Sequence, residues 1–390
     1  MAYNCRWLPR VAEVEESVWN ELTKPLSTPF FEWEWLHNLE ASGSATRSAG
    51  WMPHHLTLWQ GKELVGIAPL YIKGHSQGEF VFDHQFAELS HRLGISYYPK
   101  LLGMSPFTPA GGYQFIFRED FPDRSSGIDL MVEEIDRFCI KNGISSCNFL
   151  YVDPQWQKEM QARGFAEWMH HSFIWTNQDF RDFDQFLQSF NANQRRNIKR
   201  ERKAVANGNI KVVPYTGEAI PHFMFSLMYE FYSDHCDKFG WWGSKYLTRK
   251  FFESLYSCFR DRVVFFAAER EEGKKPVAMS FCIRKNDQLY GRYWGCFEEI
   301  DCLHFETCYY KPIEWGINNG IKTFDPGAGG GHKKRRGFPA TPNYSLHRFY
   351  HPVLNRIILP YMKEYNLYEV KEIDAINQEL PFDLPAPTIS

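Results

Sequence analysis

The feature that most restricts the fold of this chain is a pattern of strands and helices that occurs twice. Residues 64–73 (LVGIAPLYIK) align with residues 276–285 (PVAMSFCIRK) at a constant offset. In both halves an apolar strand and a polar turn come before this segment, and a short aromatic strand and a helix follow it. The similarity is one of pattern more than of identity. A unit of helices, antiparallel strands, a helix and a further strand, present twice, predicts two related α/β domains.

The length of the chain supports the same division. At 390 residues and 46.0 kDa, it is too long for one ordinary hydrophobic core and suggests two domains of similar size. The polar residues 177–182 separate a predicted strand from a new helical run that begins at Phe183. We therefore predict one domain over residues 1–178 and a second over residues 179–390.

Charge and cysteine content exclude several classes of protein. Lys and Arg number 44 and Asp and Glu 47, so the net charge is 44 minus 47, or -3, and any site for a polyanion must be local. The nine cysteines form no CxxC pair and no cluster at zinc spacing, which predicts a reduced, cytoplasmic protein without a structural metal. No signal peptide and no membrane-spanning segment is expected from the sequence, and a peripheral membrane contact stays open.

The segment 297–350 contains most of the chemically unusual residue types. Residues 304–319 are predicted to form a helix that ends at Gly320 and is kinked or split by Pro312, followed by a strand at 321–324. The sequence GAGGG at 327–331 leads directly into HKKRR. A glycine loop lets backbone amides approach a ligand, and adjacent basic side chains can neutralise an anion. This pattern predicts an anion site, with an ordinary solvated loop as the competing interpretation.

The predicted helix in this segment has an unusual polar face. Glu306, Tyr309, Tyr310 and Ile313 recur at three- and four-residue spacings and can share one face, while His304 lies half a turn away. A buried helix face does not normally contain a carboxylate and two phenols. The pattern therefore favours a functional site on this helix.

A second basic cluster lies at the start of the predicted second domain. The run NQRRNIKRERK contains six Lys and Arg residues, of which Arg196, Lys199, Arg200 and Lys203 share a helix face. Such a face is either a solvated surface or a contact for RNA or phosphate.

Several longer motifs together resemble the bacterial FemAB-like family. They are FEWEWLHNLEASGS, WMPHHL through LVGIAPLYIKGHSQGEFVFD, YYPKLLGMSPFTP, RRNIKRERK, HFETCYYKPIEWGI and GAGGGHKKRRGFPATPNYSLH. The resemblance covers nearly the whole chain. It implies an α/β (α+β) fold in which a GNAT-like domain is duplicated, each copy having a mixed, largely antiparallel sheet flanked by helices. It also implies that the chain is an enzyme like the Fem-type aminoacyl transferases, with the active site in the second domain.

The resemblance implies that an acyl group is transferred to an amine. In GNAT-fold enzymes a backbone amide polarises the donor carbonyl, and a tyrosine or a water protonates the leaving group. Tyr309 or Tyr310 is our candidate for the acid, and Glu306 or His304 for the base. These four catalytic assignments rest on residue type and position, and a core or hydrogen-bonding role is the competing interpretation.

The donor expected from the resemblance is aminoacyl-tRNA rather than acetyl-CoA. Acetyl-CoA-binding GNAT domains have an R/Q-x-x-G-x-G/A loop before a helix, where backbone amides hold the pyrophosphate. In the second half, residues 296–303 occupy the corresponding position, and they are acidic and lack glycine. In the first half, the matching residues 82–85 also lack the loop. We expect no tightly bound cofactor. The predicted substrate-binding residues are Asp83, Tyr98, Lys100, Arg196, His332, Lys333, Arg336 and Ser345.

Two alternatives stay open. An acetyl-CoA-dependent N-acetyltransferase would need a non-standard cofactor loop, for which 327–331 is the candidate. A non-catalytic protein that grips a peptide or glycan would use Asp83, Tyr97, Tyr98 and Lys100. The acceptor under the enzyme hypothesis is an amine-bearing small molecule, peptide or cell-wall precursor, and the peptidoglycan assignment rests on the family resemblance alone.

Overall fold

The computed structural model describes residues 3–238, 244–271 and 274–382. Contacts divide the chain into two compact units, one of Met1–His170 with Asn343–Glu369 and the other of His171–Pro342 with Val370–Ser390. The division expected at residue 178 stays a prediction. That division did not anticipate that residues 343–369 group with the N-terminal part of the chain.

The strands and helices have the following bounds. The strands are β1 (Tyr3–Leu8), β2 (Trp51–Pro53), β3 (His55–Gln60), β4 (Glu63–Ala68), β5 (Tyr71–Lys73), β6 (Lys100–Gly103), β7 (Ile116–Phe117), β8 (Ser146–Phe149), β9 (Ala166–Phe173), β10 (Trp175–Thr176), β11 (Lys211–Thr216), β12 (Val263–Glu269), β13 (Ala278–Lys285), β14 (Gln288–Cys296), β15 (Thr323–Asp325) and β16 (Ala340–Phe349). The helices are α1 (Glu16–Thr23), α2 (Trp33–Ala41), α3 (His84–Arg92), α4 (Arg124–Lys141), α5 (Pro154–Gln161), α6 (Phe183–Gln188), α7 (Ala192–Asn207), α8 (Phe223–Lys238), α9 (Arg249–Cys258), α10 (Leu303–Phe305), a π-helix (Glu306–Tyr310), α11 (Lys311–Asn318) and α12 (Pro352–Gln378).

The second unit is built on one six-stranded sheet in the order β10-β15-β14-β13-β12-β11. Neighbouring strands from β11 to β14 are antiparallel, whereas β14 and β15 are parallel. Every residue of β12 is buried, as its continuous apolar sequence predicts. Parallel neighbours need a crossover connection, and here the connection contains α10, the π-helix and α11. The helical segment predicted to be functional is therefore the connection between the two parallel strands β14 and β15.

The first unit contains two sheets, in the orders β1-β3-β4-β7 and β2-β5-β6-β8-β16-β9. Its parallel pair is β6 and β8, with Leu101 opposite Cys147, and α4 lies between them in the chain. Residues 82–85 instead lead into α3, which connects the antiparallel strands β5 and β6. The sequence analysis matched residues 82–85 with residues 296–303, which lead into the crossover of the second unit. This match was wrong, because the crossover of the first unit follows β6.

The two copies of the repeated segment fold differently. In the second copy, Ala278–Lys285 is one continuous strand, although residues 272 and 273 of the preceding turn lie outside the described residues. In the first copy, the predicted single strand 64–73 is wrong, since β4 ends at Ala68 and β5 begins at Tyr71 in another sheet. Pro69 lies at the break, where it removes a donor from the ladder. The short aromatic strand that the repeat predicts after this segment, over residues 78–82, is also absent, and Phe80 there has a left-handed φ of 58°.

A cluster of buried charges lies in the first unit. The Lys100 ammonium donates to Glu79 Oε2 at 2.7 Å, to Ser76 Oγ at 2.8 Å and to Asp83 Oδ2. Tyr97 also donates to Asp83, at 2.7 Å. The side chains of Lys100, Glu79 and Asp83 are at most 4% exposed. Because charges taken out of water are tolerated only when they are paired and hydrogen-bonded, this cluster ties residues 76–83 to residues 97–100.

Replacing Lys100 by Met is predicted to destabilise the protein by about 3–5 kcal/mol, because two buried carboxylates lose their counter-charge. The measurement is the midpoint and slope of urea unfolding. Lys62→Met, at an exposed turn, is the matched control and should change stability by less than about 0.5 kcal/mol. Equal stability of the two variants would contradict the structural role of Lys100.

Candidate active site

The helix between β14 and β15 is divided into three parts. Leu303–Phe305 is α-helical, Glu306–Tyr310 is π-helical, and Lys311–Asn318 is α-helical again. Pro312 has no N–H and lies in the first turn of α11, where it is tolerated. The helix changes from π- to α-helical hydrogen bonding just before this proline, and the kink or split predicted there stays a prediction. The π-helical turn exposes backbone carbonyls, and that of Thr307 accepts a hydrogen bond from Ser280 Oγ at 2.9 Å. Such turns often occur at functional sites.

His304 and Tyr309 lie together on this helix. Their ring centroids are 5.4 Å apart, and the His304 ring also contacts Trp294 and His332. Burial, helped by the nearby His332 and Arg336, lowers the pKa of His304 to about 4. Its imidazole is therefore neutral at physiological pH, and within the described part of the chain it donates or accepts no hydrogen bond. A neutral, unengaged imidazole is able to take a proton.

Tyr309 is hydrogen-bonded to a second histidine. Its hydroxyl lies 2.9 Å from His332 Nε2. Burial raises the pKa of Tyr309 well above its ordinary value, so the phenol stays protonated. Tyr309 thus stands between two imidazoles, those of His304 and His332.

Tyr310 is held by a residue that sequence analysis did not select. Its hydroxyl donates to Glu201 of α7, and the same carboxylate oxygen accepts from Arg336 Nη2 at 3.0 Å. The Arg336 guanidinium carbon also lies 3.3 Å from the centroid of the Phe305 ring. Arg336 is buried, so this side chain closes one wall of the site from inside the unit.

Glu306 forms an ion pair with a second residue of α7. Arg202 donates to both oxygens of Glu306 at 3.0 Å, and also to Glu314 at 3.1 Å. The Arg202 guanidinium stacks on Phe183, 4.3 Å from the ring centroid. Burial raises the pKa of Glu306 while Arg202 opposes that shift. Since both carboxylate oxygens are occupied, Glu306 is positioned to brace the helix.

The glycine loop folds back on its own basic residues. The Lys333 ammonium donates to the carbonyls of Gly327 at 2.6 Å and Ala328 at 3.1 Å, and Lys333 is only 2% exposed. Burial lowers the pKa of Lys333 to about 8. Gly327, Gly329 and Gly330 have positive φ values, a conformation that glycine adopts without strain. In this arrangement Lys333 neutralises carbonyl dipoles of the loop, while His332 remains exposed.

The two faces of α7 are chemically distinct. Gln194, Ile198 and Val205 are buried, and Glu201 and Arg202 point to the site through the contacts above. The predicted basic face of Arg196, Lys199, Arg200 and Lys203 is exposed. None of these four makes an ion pair or hydrogen bond with the part of the chain that the structure describes. Their charge is therefore available to a ligand.

The position where acetyl-CoA-binding domains hold pyrophosphate is acidic in this chain. Glu298 pairs with Arg270 at 2.6 Å, and Glu299 and Asp301 are exposed. The helix that follows begins after Cys302, whose φ of 61° is left-handed. Three carboxylates at a helix N-terminus repel an anion that bare backbone amides would attract.

The predicted substrate-binding residues of the first unit are largely engaged with one another. Asp83 and Lys100 belong to the buried cluster, and Tyr98 shares a hydrogen bond of 2.7 Å with Ser76. Ser345 is 1% exposed and donates to the carbonyl of Trp168 at 3.0 Å. Their contact with a substrate stays a prediction.

Glu201 and Arg202 are the site residues that sequence reasoning missed. The run containing them was interpreted by its positive charge. A signal was nevertheless present, because the residues at 194, 198 and 205 recur at helical spacing and define the inward face on which 201 and 202 lie.

Within the described ranges, no cluster of His, Cys, Asp and Glu is arranged to hold a metal ion. None of the described helices combines the length and apolarity that a membrane span requires.

Comparison with solved structures shows the fold. FemX superposes with a TM-score of 0.53 at 11% identity, covering 91% of this chain and 100% of that one. The C-terminal domain of a putative lysylphosphatidylglycerol synthetase from Agrobacterium fabrum gives 0.50 at 9% identity, covering 90% and 96%. A tandem GNAT protein from the clavulanic acid biosynthesis pathway gives 0.45 at 9% identity, covering 90% and 99%. The similarity to the first two structures confirms the predicted fold class.

Sequence comparison identifies the family. No curated protein sequence matches the chain. The family model FemAB_like, described as peptidoglycan biosynthesis/recognition, matches residues 10–384, which confirms the predicted resemblance. The chain therefore belongs to the FemAB_like family and, with that family, is a transferase.

Proposed function

We propose that this protein transfers an aminoacyl group from aminoacyl-tRNA to an amine, at a site formed by His304 and Tyr309 in the second unit. The observation that carries the proposal is the pairing of a neutral, unengaged imidazole with a protonated phenol 5.4 Å away, measured between ring centroids. Acyl transfer to an amine needs one group that accepts a proton and one that donates a proton. This pair supplies both.

In the proposed reaction His304 is the general base and Tyr309 is the general acid. The incoming ammonium first loses a proton to solvent, and as the free amine attacks the donor ester carbonyl its nitrogen loses a second proton to His304. As the carbonyl–oxygen bond breaks, Tyr309 gives its proton to the ribose oxygen that leaves. Glu306 is less suited to be the base because Arg202 occupies both of its oxygens, and Tyr310 is less suited to be the acid because its hydroxyl donates to Glu201.

Two features of the second unit favour a tRNA donor over acetyl-CoA. The acidic residues 298–301 stand where a pyrophosphate would have to bind, and Lys333 is committed to carbonyls of the glycine loop. In contrast, four basic side chains on α7 are exposed and unpaired within the described chain. A row of such side chains suits a sugar–phosphate backbone. The acceptor proposed from family membership is an amine of a peptidoglycan precursor.

Replacing His304 by Gln is predicted to reduce kcat/KM about 10²–10⁴-fold, the usual contribution of a general base. Because the pKa of His304 is about 4 in the folded protein, the wild-type rate should rise as pH increases through about 4 and stay level above it. An ordinary histidine would place this rise near pH 6.5. The assay is transfer from charged tRNA to hydroxylamine across this pH range, with the uncatalysed rate subtracted and rates expressed per concentration of unprotonated hydroxylamine, because the acceptor itself loses a proton in this range.

The control for this experiment is His91→Gln, at an exposed position in the first unit, which should retain full activity. A His304→Gln variant that is as active as the control would rule out His304 as the base. Activity that instead rises near pH 6.5 in the wild type would assign the base to an imidazole with an unshifted pKa.

Changing Arg196, Lys199, Arg200 and Lys203 together to Gln is predicted to weaken binding of charged tRNA and to flatten its salt dependence. Each lost phosphate contact reduces the slope of log K against log salt concentration by about 0.7–0.9. Binding is measured by filter retention between low and near-physiological salt, with acetyl-CoA binding measured separately by calorimetry.

The matched control removes the same net charge from exposed lysines of the first unit, Lys62, Lys141, Lys158 and Lys363. An equal loss of affinity in both variants would show that only net charge matters, and would remove the α7 face as a docking surface. Binding of acetyl-CoA by the wild type without binding of charged tRNA would overturn the proposed donor and favour an acetyltransferase.

A further inference from the structure

His332 occupies an unusual position for a residue of a basic loop. Its Nε2 atom lies 2.9 Å from the Tyr309 hydroxyl, and its ring also contacts His304, with centroids 5.8 Å apart. The residue as a whole is exposed. Its imidazole therefore joins a buried phenol to the solvent.

The loop is built in a way that holds this imidazole in place. Arg336 Nη1 donates to the His332 carbonyl at 2.9 Å, and Lys333 secures the carbonyls of Gly327 and Ala328. A Cβ atom at Gly330 would lie 2.6 Å from the His332 ring, so only glycine leaves room for the ring at this point. The buried cations of the loop thus fix its shape, and His332 is an exposed side chain of the loop that contacts Tyr309.

We propose that His332 is a catalytic residue that returns a proton to Tyr309 from solvent, so that the glycine loop serves to position a proton relay. This inference rests on the proposed function, because it requires Tyr309 to be the acid. It assigns His332 a role in proton transfer in place of the anion contact expected from the sequence.

The proton transfers balance over one turnover. Tyr309 gives its proton to the leaving oxygen and becomes a phenolate. His332 Nε2–H then passes its proton to that phenolate while Nδ1 takes one from solvent, which leaves a neutral imidazole with its proton on the other nitrogen. His304 releases to solvent the proton it took from the amine. The amine nitrogen has lost two protons in all, of which one is now on the leaving group and one in solvent, and proton exchange with water restores the starting tautomer of His332.

The chemistry of Tyr309 explains why such a relay is useful. Burial strongly disfavours the phenolate, so the phenolate must be reprotonated as it forms. The only hydrogen-bond partner of the Tyr309 hydroxyl within the described residues is His332. Burial together with Arg336 and Lys333 lowers the pKa of His332, which keeps the imidazole neutral and able to exchange protons in both directions.

The first test is chemical rescue of His332→Ala with charged tRNA as donor and hydroxylamine as acceptor. We expect kcat to fall about tenfold or more, with little change in KM for tRNA. Added imidazole should restore kcat, since the site is open to solvent, and pyrazole, a much weaker base of the same shape, should not. Lys322→Gln, an exposed position in the same unit, is the control and should behave as the wild type. An increase in KM without loss of kcat and without rescue would overturn the relay and make His332 a donor contact.

The second test does not depend on activity. Nitrogen NMR of histidine-labelled protein reports the tautomer and the pKa of His332 in the wild type and in Tyr309→Phe. Loss of the phenol should change the tautomer populations of His332 and leave those of the exposed His91 unchanged. An unchanged His332 spectrum would overturn the pair. If the wild type transfers nothing from charged tRNA while this spectrum changes as expected, the donor assignment fails and the Tyr309–His332 pair stands.

Discussion

The candidate site depends on two adjacent residues of opposite charge on α7. Glu201 accepts hydrogen bonds from Tyr310 and Arg336, and Arg202 pairs with Glu306 and Glu314. Ion pairs with little solvent around them are stabilising only when their geometry and hydrogen bonding are nearly complete. Here Glu201 and Arg202 each have two partners, and both oxygens of Glu306 accept from Arg202. The pairs therefore fix the rotation of the divided helix. That rotation in turn sets where His304 and Tyr309 lie.

Sequence reasoning succeeded where a local rule determines the structure. The complete burial of β12 follows from properties of a few adjacent residues, its continuous apolar run. It failed at Pro69, where a proline had been included in a strand despite its missing donor. The repeat suggested a continuous strand in both halves, yet position 281 of the second copy carries Phe and position 69 carries Pro.

The partners of the catalytic candidates were beyond the reach of such rules. Tyr310 and Glu201 are 109 residues apart in the chain, and Glu306 and Arg202 are 104 apart, so no local pattern connects them. The residue types on the helix nevertheless pointed to a segment whose polar side chains are buried and mostly paired, because polar groups on a buried face require partners. The sequence does not show which of these side chains are hydrogen-bonded or ion-paired by a partner and which are not. Burial and pairing decide that, and they favour His304 over Glu306.

The crossover between β14 and β15 bears on where the proposed donor would bind. In a GNAT-like sheet, the helix after the central strands offers its N-terminus to an anion. Here the residues that lead into that helix carry Glu298, Glu299 and Asp301, and the turn at Cys302 is left-handed, so the helix dipole is opposed by three carboxylates. The glycine loop does not replace it, because Lys333 already satisfies its carbonyls. The donor that we propose, aminoacyl-tRNA, would then be held by charge that nothing else neutralises, and among the described residues of this unit the outward face of α7 offers such charge in a row.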